Sequence, residues 1–134
     1  MAALTDTKEI NEKASRMINY PVAAGVKIFR GALVKITPGG FLAPCAAEAG
    51  AAFAGVSSET VDNTDGANGD VDCDVFTEGL HQITGSGFTQ GSLKASVYAS
   101  DDQTISDTQG ANEQLVGKVE GFISATEVYV RLEV

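Results

Sequence analysis

Along most of the chain the apolar residues stand in short clusters at alternate positions, and the gaps between clusters are filled by Gly, Asp, Asn, Ser and Thr. Alternation at period two is the signature of a strand with one buried face, and turn formers between clusters mark where each strand ends. The C-terminal stretch carries the strongest signal. Leu115 to Ser124 leads through a turn at Thr126 into Glu127 to Val134, where Val128, Val130, Leu132 and Val134 alternate with Tyr129, Arg131 and Glu133. Val71-Asp72-Cys73-Asp74-Val75 alternates as cleanly, which predicts Val71, Cys73 and Val75 inward and both aspartates in water. Further strands are predicted over Val26 to Phe29, Leu33 to Thr37, Phe41 to Cys45, Phe53 to Ser57, Leu80 to Thr84, Leu93 to Ala99 and Thr104 to Ser106. Pro38-Gly39-Gly40 has the composition of a hairpin turn, Ala46 to Ala52 reads as a small-residue connection around Gly50, and Val61 to Asp70 reads as a loop. In the Leu93 to Ala99 segment, Leu93, Ala95, Val97 and Ala99 share one face. About nine short strands at this close spacing imply an all-β fold, a small barrel or sandwich of antiparallel strands.

The first residues follow another period. Ile10, Ala14, Met17 and Ile18 fall on one helical face, and Asp6 followed by Glu9 resembles a helix start. That stripe is thin for burial, and the Tyr20-Pro21 step forces an extended backbone at Tyr20. Residues 1–19 therefore read as an N-terminal arm or short helix, with an arm ordered only on a partner as the second possibility. Residues 20–134 read as the β-domain.

A chain of 134 residues suits one core of ordinary size. Its net charge of -9 argues against nucleic acid, whose phosphates bind through Lys and Arg. The charge is unevenly spread: six basic and three acidic residues in 1–35, three basic and fifteen acidic in 36–134. An acidic body with a basic front end points to docking of that front on another protein's acidic surface. No apolar core follows a basic start at the N-terminus, so the two cysteines, Cys45 and Cys73, are expected reduced in a cytosolic setting. No run approaches the roughly 20 apolar residues of a membrane span.

Chemistry-bearing constellations are sparse. His81 is the only histidine, and in Leu80-His81-Gln82 it reads as a strand-surface residue. Motifs for nucleophilic, zinc or phosphate chemistry are missing, so no cofactor is expected and the chain does not read as an enzyme. Asn63-Thr64-Asp65-Gly66 with Asp72 mimics part of a calcium loop, but the first ligand position falls on Val61, which has no side-chain oxygen, so a solvated turn is expected. Gly85-Ser86-Gly87 reads as a flexible loop, and most of the scattered aromatics, Tyr20, Phe29, Phe41, Phe53, Phe76, Phe88, Phe122 and Tyr129, as core.

From YPVAAGVKIFRGALVKITPGGFLAP (20–44) onward, the succession of Gly-punctuated strands resembles a family of small phage and prophage proteins associated with capsid cement, or head decoration, formerly known only as a domain of unknown function. The likeness continues in order through FAGVSSETVDNTDGANGD, VDCDVFTEGLHQI, QGSLKASVYASDDQTIS and QLVGKVEGFISATEVYVRLEV, so it covers about residues 20–134. It implies a β-barrel-like domain, most often a homotrimer, on the outer surface of a phage head, made in the bacterial cytoplasm, with the major capsid protein as partner and no catalysis. Lys8, Lys13, Arg16, Ile18 and Tyr20 are the candidate capsid-binding residues, because they join the basic arm to the first apolar positions of the body. The alternative is a virion-surface module that recognises a host glycan or receptor. It would need an aromatic platform, and the chain has no Trp.

Overall fold

The computed structural model describes residues 17–134. Seven strands come first: β1 (Met17–Pro21), β2 (Lys27–Ile28), β3 (Leu33–Ile36), β4 (Leu42–Pro44), β5 (Ala52–Ser57), β6 (Val61–Asp62) and β7 (Asp72–Phe76). Five of them form an antiparallel sheet in the order β1-β7-β5-β3-β4, and β2 pairs with β6 as a separate ribbon. This sheet curls, because an isolated parallel bridge between Val22 and Leu42 carries the chain leaving β1 back to β4, its far edge. The other five strands, β8 (Leu80–Gly85), β9 (Ser96–Ala99), β10 (Thr104–Ser106), β11 (Leu115–Ser124) and β12 (Glu127–Leu132), close into a barrel in the order β10-β8-β12-β11-β9. All of its pairings are antiparallel except β10 with β8. The expected all-β fold is therefore present, as a closed barrel joined to a curled sheet.

Two apolar cores hold these layers. One lies within the curled sheet, where Val22, Val34, Leu42, Ala54, Cys73 and Val75 meet Ile28 and Val61 of the ribbon. The other fills the barrel with Val97, Ile105, Val116, Val119, Val128 and Val130 and reaches out to Leu33, Phe53 and Val56 of the sheet. Strands β3 and β5 thus serve both cores, Leu33 facing one and Val34 the other, and from Phe53 to Ser57 every residue is buried. Strict alternation along β5 would send Val56 to the same side as Ala54. An irregularity opposite Val34 and Lys35, where two steps along β5 match one along β3, resets the phase and returns Val56 to the barrel side. Gly55 makes this possible: its φ is +140°, and a Cβ there would stand 2.1 Å from the Phe76 carbonyl oxygen.

Polar ties cross the same seam. The Leu33 amide donates to the Asp102 carbonyl at 2.8 Å, and the Glu48 amide donates to the Asn112 carbonyl at 3.0 Å. Lys35, buried in β3, directs its ammonium to the Ala46 carbonyl (3.1 Å) and the Glu48 carboxylate (3.0 Å), while the buried Gln114 donates to the same Ala46 carbonyl at 3.1 Å. A buried lysine is tolerated when its charge is both paired and hydrogen-bonded.

The strands follow the alternating pattern closely, with informative exceptions. Met17, Ile18 and Asn19, read with the arm, belong to β1 and pair with Phe76, Val75 and Asp74. Their backbone is extended, so the helical stripe does not run through Met17 and Ile18. Val61 and Asp62, read as loop, form β6. The predicted strand at Leu93 starts only at Ser96, because Gln90–Ser92 makes a turn of 3-10 helix and Lys94 takes a left-handed φ of 71°, leaving Leu93 partly exposed. Val134 lies beyond β12 and is exposed. Gly85, read as loop, is the last residue of β8, where the Phe88 ring folds over it so closely that a Cβ would stand 2.5 Å from a ring carbon.

Two predictions follow from the shared strand and the cores. Gly55→Ala forces a side chain into the Phe76 carbonyl and the Val75 methyl at a strained backbone angle, so it should cost about 3 kcal/mol, whereas Gly39→Ala, which meets only ordinary contacts at 3.9 Å, should be near neutral; denaturant titration of the two variants checks this. The thiols give the second. Burial pushes the Cys45 thiol from its ordinary 9.0 up to about 12, and burial raises Cys73 as well, against an opposing hydrogen bond from Ser57. Both should resist alkylation in the folded protein and react at once in denaturant. Because the unfolded thiols ionise more readily than the folded ones, stability should be intact below pH 9 and fall as pH rises from 9.0 toward about 12.

Candidate functional site

Of the five residues expected to dock, Lys8, Lys13 and Arg16 lie outside the described residues. Ile18 and Tyr20 do come together. Two residues apart on β1, they face the same side, both half-buried, and line one groove of about 600 Å³ with Thr77, Glu78 and the C-terminal Leu132, Glu133 and Val134. Tyr20 also packs against the core of the curled sheet. The groove sits at an edge of the described sheet, since β7 is the only strand laddered with β1 among the described residues, and a 3.0 Å bond from Asn19 to Asp74 reinforces that pairing. Val134, more than half exposed, adds apolar surface to the groove, and Glu78 and Glu133 add carboxylates, whereas Met17, next to Ile18 on the strand, faces the opposite side.

The remaining candidates are occupied by structural duties. His81 lies on β8, with Nε2 3.2 Å from the Glu78 carbonyl oxygen and its ring 6.0 Å from that of Phe76. In the acidic loop, Asn63 is buried and its amide donates to the carbonyls of Val22, Ala23 and Ala67, pinning the loop to the segment after β1. Asp62 accepts from the Thr64 hydroxyl and amide, which hold its carboxyl below the usual range, and Asp70 accepts from the Ala67 amide at 2.8 Å. These carboxylates close turns of their own backbone. Among the described residues no three or more His, Cys, Asp or Glu are grouped to hold a metal ion, and no helix is long and apolar enough to cross a membrane.

Of the eight aromatics expected to be mostly core, Phe53 and Phe88 are buried and Tyr20 and Phe122 pack half-buried against the two cores, whereas Phe41 and Phe76 are half-buried outside them and Phe29, 56 % exposed, and Tyr129, 42 % exposed, lie on the surface. Tyr129 lies across Gly121, where a Cβ would come within 3.1 Å of the ring. Phe29 follows the buried Ile28 in opposite phase and shares its side of the ribbon with Lys27, whose ammonium stands 5.0 Å from the ring centroid. That phase was legible: Ile28 inward puts Lys27 and Phe29 outward.

No family model, no curated protein and no solved structure matches this chain.

Proposed function

We propose that the protein is a phage capsid cement protein, a homotrimer that binds the outside of the head and holds neighbouring capsid subunits together. The observation that carries this reading is the groove of Ile18 and Tyr20 at the edge strand, because it stands where the basic N-terminal segment joins the body and is bordered by exposed apolar side chains. A cement protein must meet its support through a surface that offers both burial and charge; Ile18, Tyr20, Leu132 and Val134 line the groove, and Lys8, Lys13 and Arg16 precede it in the chain. The body beyond it is acidic, with six basic and fifteen acidic side chains in residues 17–134, so like-charged bodies repel unless a surface of this kind orients them. Stabilisation of the shell follows by mass action, since a ligand of the assembled lattice that ignores loose subunits raises the cost of separating them.

Pelleting with expanded, undecorated heads tests the proposal. The full chain should co-sediment at fixed stoichiometry and, by light scattering, have the mass of three chains. Ile18→Asp should weaken attachment roughly tenfold, the loss of one contact of about 1.4 kcal/mol. Removing residues 2–16 should leave the thermal midpoint unchanged, weaken attachment, and abolish most of its salt dependence, because exposed charge pairs are screened beyond about 8 Å at physiological ionic strength. A chain that never sediments with heads, or a truncated one that binds as tightly at low and high salt alike, would sink the proposal or the arm's part in it, respectively.

A further inference from the structure

Strand β8 is flanked on both sides only at its end. β12 accompanies it from Leu80 to Thr84, whereas β10 meets it at Thr84 and Gly85 alone. The Gly85 amide donates to the Thr126 carbonyl (2.9 Å) and the Leu132 amide to the Gly79 carbonyl (3.2 Å), so the odd-numbered residues of β8 bond toward β12. By the alternation of an antiparallel ladder, the N–H and C=O of Leu80 and Gln82 turn the other way, where no strand pairs with them among the described residues. A groove of about 320 Å³ is lined by His81, Gln82, Ile83 and Thr84 of β8 and, across from them, by Gly31, Leu33 and Val56 of the curled-sheet layer. It shares Gly31 and Gln103 with a second groove of about 400 Å³ that holds Phe29, Arg30 and Asp102. The two make one trough along the seam of the barrel and the sheet, a common location for ligand sites and of a size that fits them.

The lining has a definite chemistry. Arg30, Asp102 and Gln103 make no side-chain hydrogen bond or ion pair with any described residue, His81 lies at the other end, and the exposed Phe29 ring stands beside them. Sugars present an apolar C–H face and a ring of hydroxyls that donate and accept at once. An aromatic face with an amide, a carboxylate, a guanidinium and open backbone N–H and C=O groups complements both. Strand addition by a peptide fits less well: the open edge spans four residues, about 13 Å, and lacks the alternating apolar pockets that mode uses. We infer that the seam trough is an oligosaccharide-binding site, with Phe29 as the stacking surface and Gln103, Arg30 and Asp102 as the polar contacts.

The full chain should be tested on arrays of immobilised bacterial O-antigen and capsular oligosaccharides, alongside an extended-peptide library. Binding should appear on the sugars, and Phe29→Ala and Gln103→Ala should each weaken it at least tenfold without moving the thermal midpoint, while Tyr129→Ala, at the other exposed ring, leaves it unchanged. Backbone amide shifts on adding the bound oligosaccharide should centre on residues 29–31, 80–84 and 102–103. No sugar binding, capture of peptides only, or sugar binding indifferent to Phe29 and Gln103 would each overturn the inference. Head pelleting of the same variants is read separately: Phe29→Ala should still sediment, so loss of one activity does not imply loss of the other.

Discussion

The fold depends on a strand that must be apolar on both faces. β5 lies between two cores, and a strand of that kind leaves no room for the wrong phase and admits a polar side chain only where it is hydrogen-bonded, as Ser57 is to the Glu59 carbonyl. Gly55 resolves the conflict by giving up its side chain where the backbone of β7 crosses closest, which allows Phe53 and Val56 to face the barrel while Ala54 faces the sheet. Once β5 is fixed, β3 on one side and β7 on the other are fixed with it. The buried Lys35 then finds its partners in the connection that follows β4, and Gln114 ties that connection to the start of β11.

How legible this was depended on whether one face of a segment meets water. β11 and β10 span the residues expected, and Val128, Val130 and Leu132 are buried as alternation predicts, because β12 has one wet and one dry face. β1 was obscured because Met17 and Ile18 satisfy a helical spacing as well as a strand, and only the distant β7 decides between them. β6 is two residues inside a run of turn formers and is held by β2, so local composition could not reveal it. Of the candidate site, Ile18 and Tyr20 were named as docking residues, but Ile18 was read on a helical stripe, and the C-terminal residues opposite the pair are remote in sequence, so only the closed fold unites them. The seam trough was invisible for the same reason: Phe29, His81 and Gln103 come from three separate segments.

The two grooves share no lining residue but adjoin one another, since Glu78 lines the first and His81 the second and the His81 Nε2 stands 3.2 Å from the Glu78 carbonyl oxygen. The groove of Ile18 and Tyr20 belongs to β1 and the C-terminal end, whereas the trough involves β3, β5 and β8, and β7 stands between β1 and β5 in the sheet. The acidic loop contributes to neither; its carboxylates are committed to turns that hold the segment after β1 in place.

The pairing of β1 with β7 bears on how the chain is made. Asn19 and Asp74 face one another at a separation of 55 positions, so β1 gains its one ladder partner among the described residues long after it has left the ribosome's peptidyl-transfer centre. At about 5 to 20 residues per second, that delay lasts roughly 3 to 11 seconds, far longer than the microseconds in which a hairpin such as β11 and β12 closes. The first described strand is thus among those placed late, and during that interval its apolar side chains are open to a chaperone.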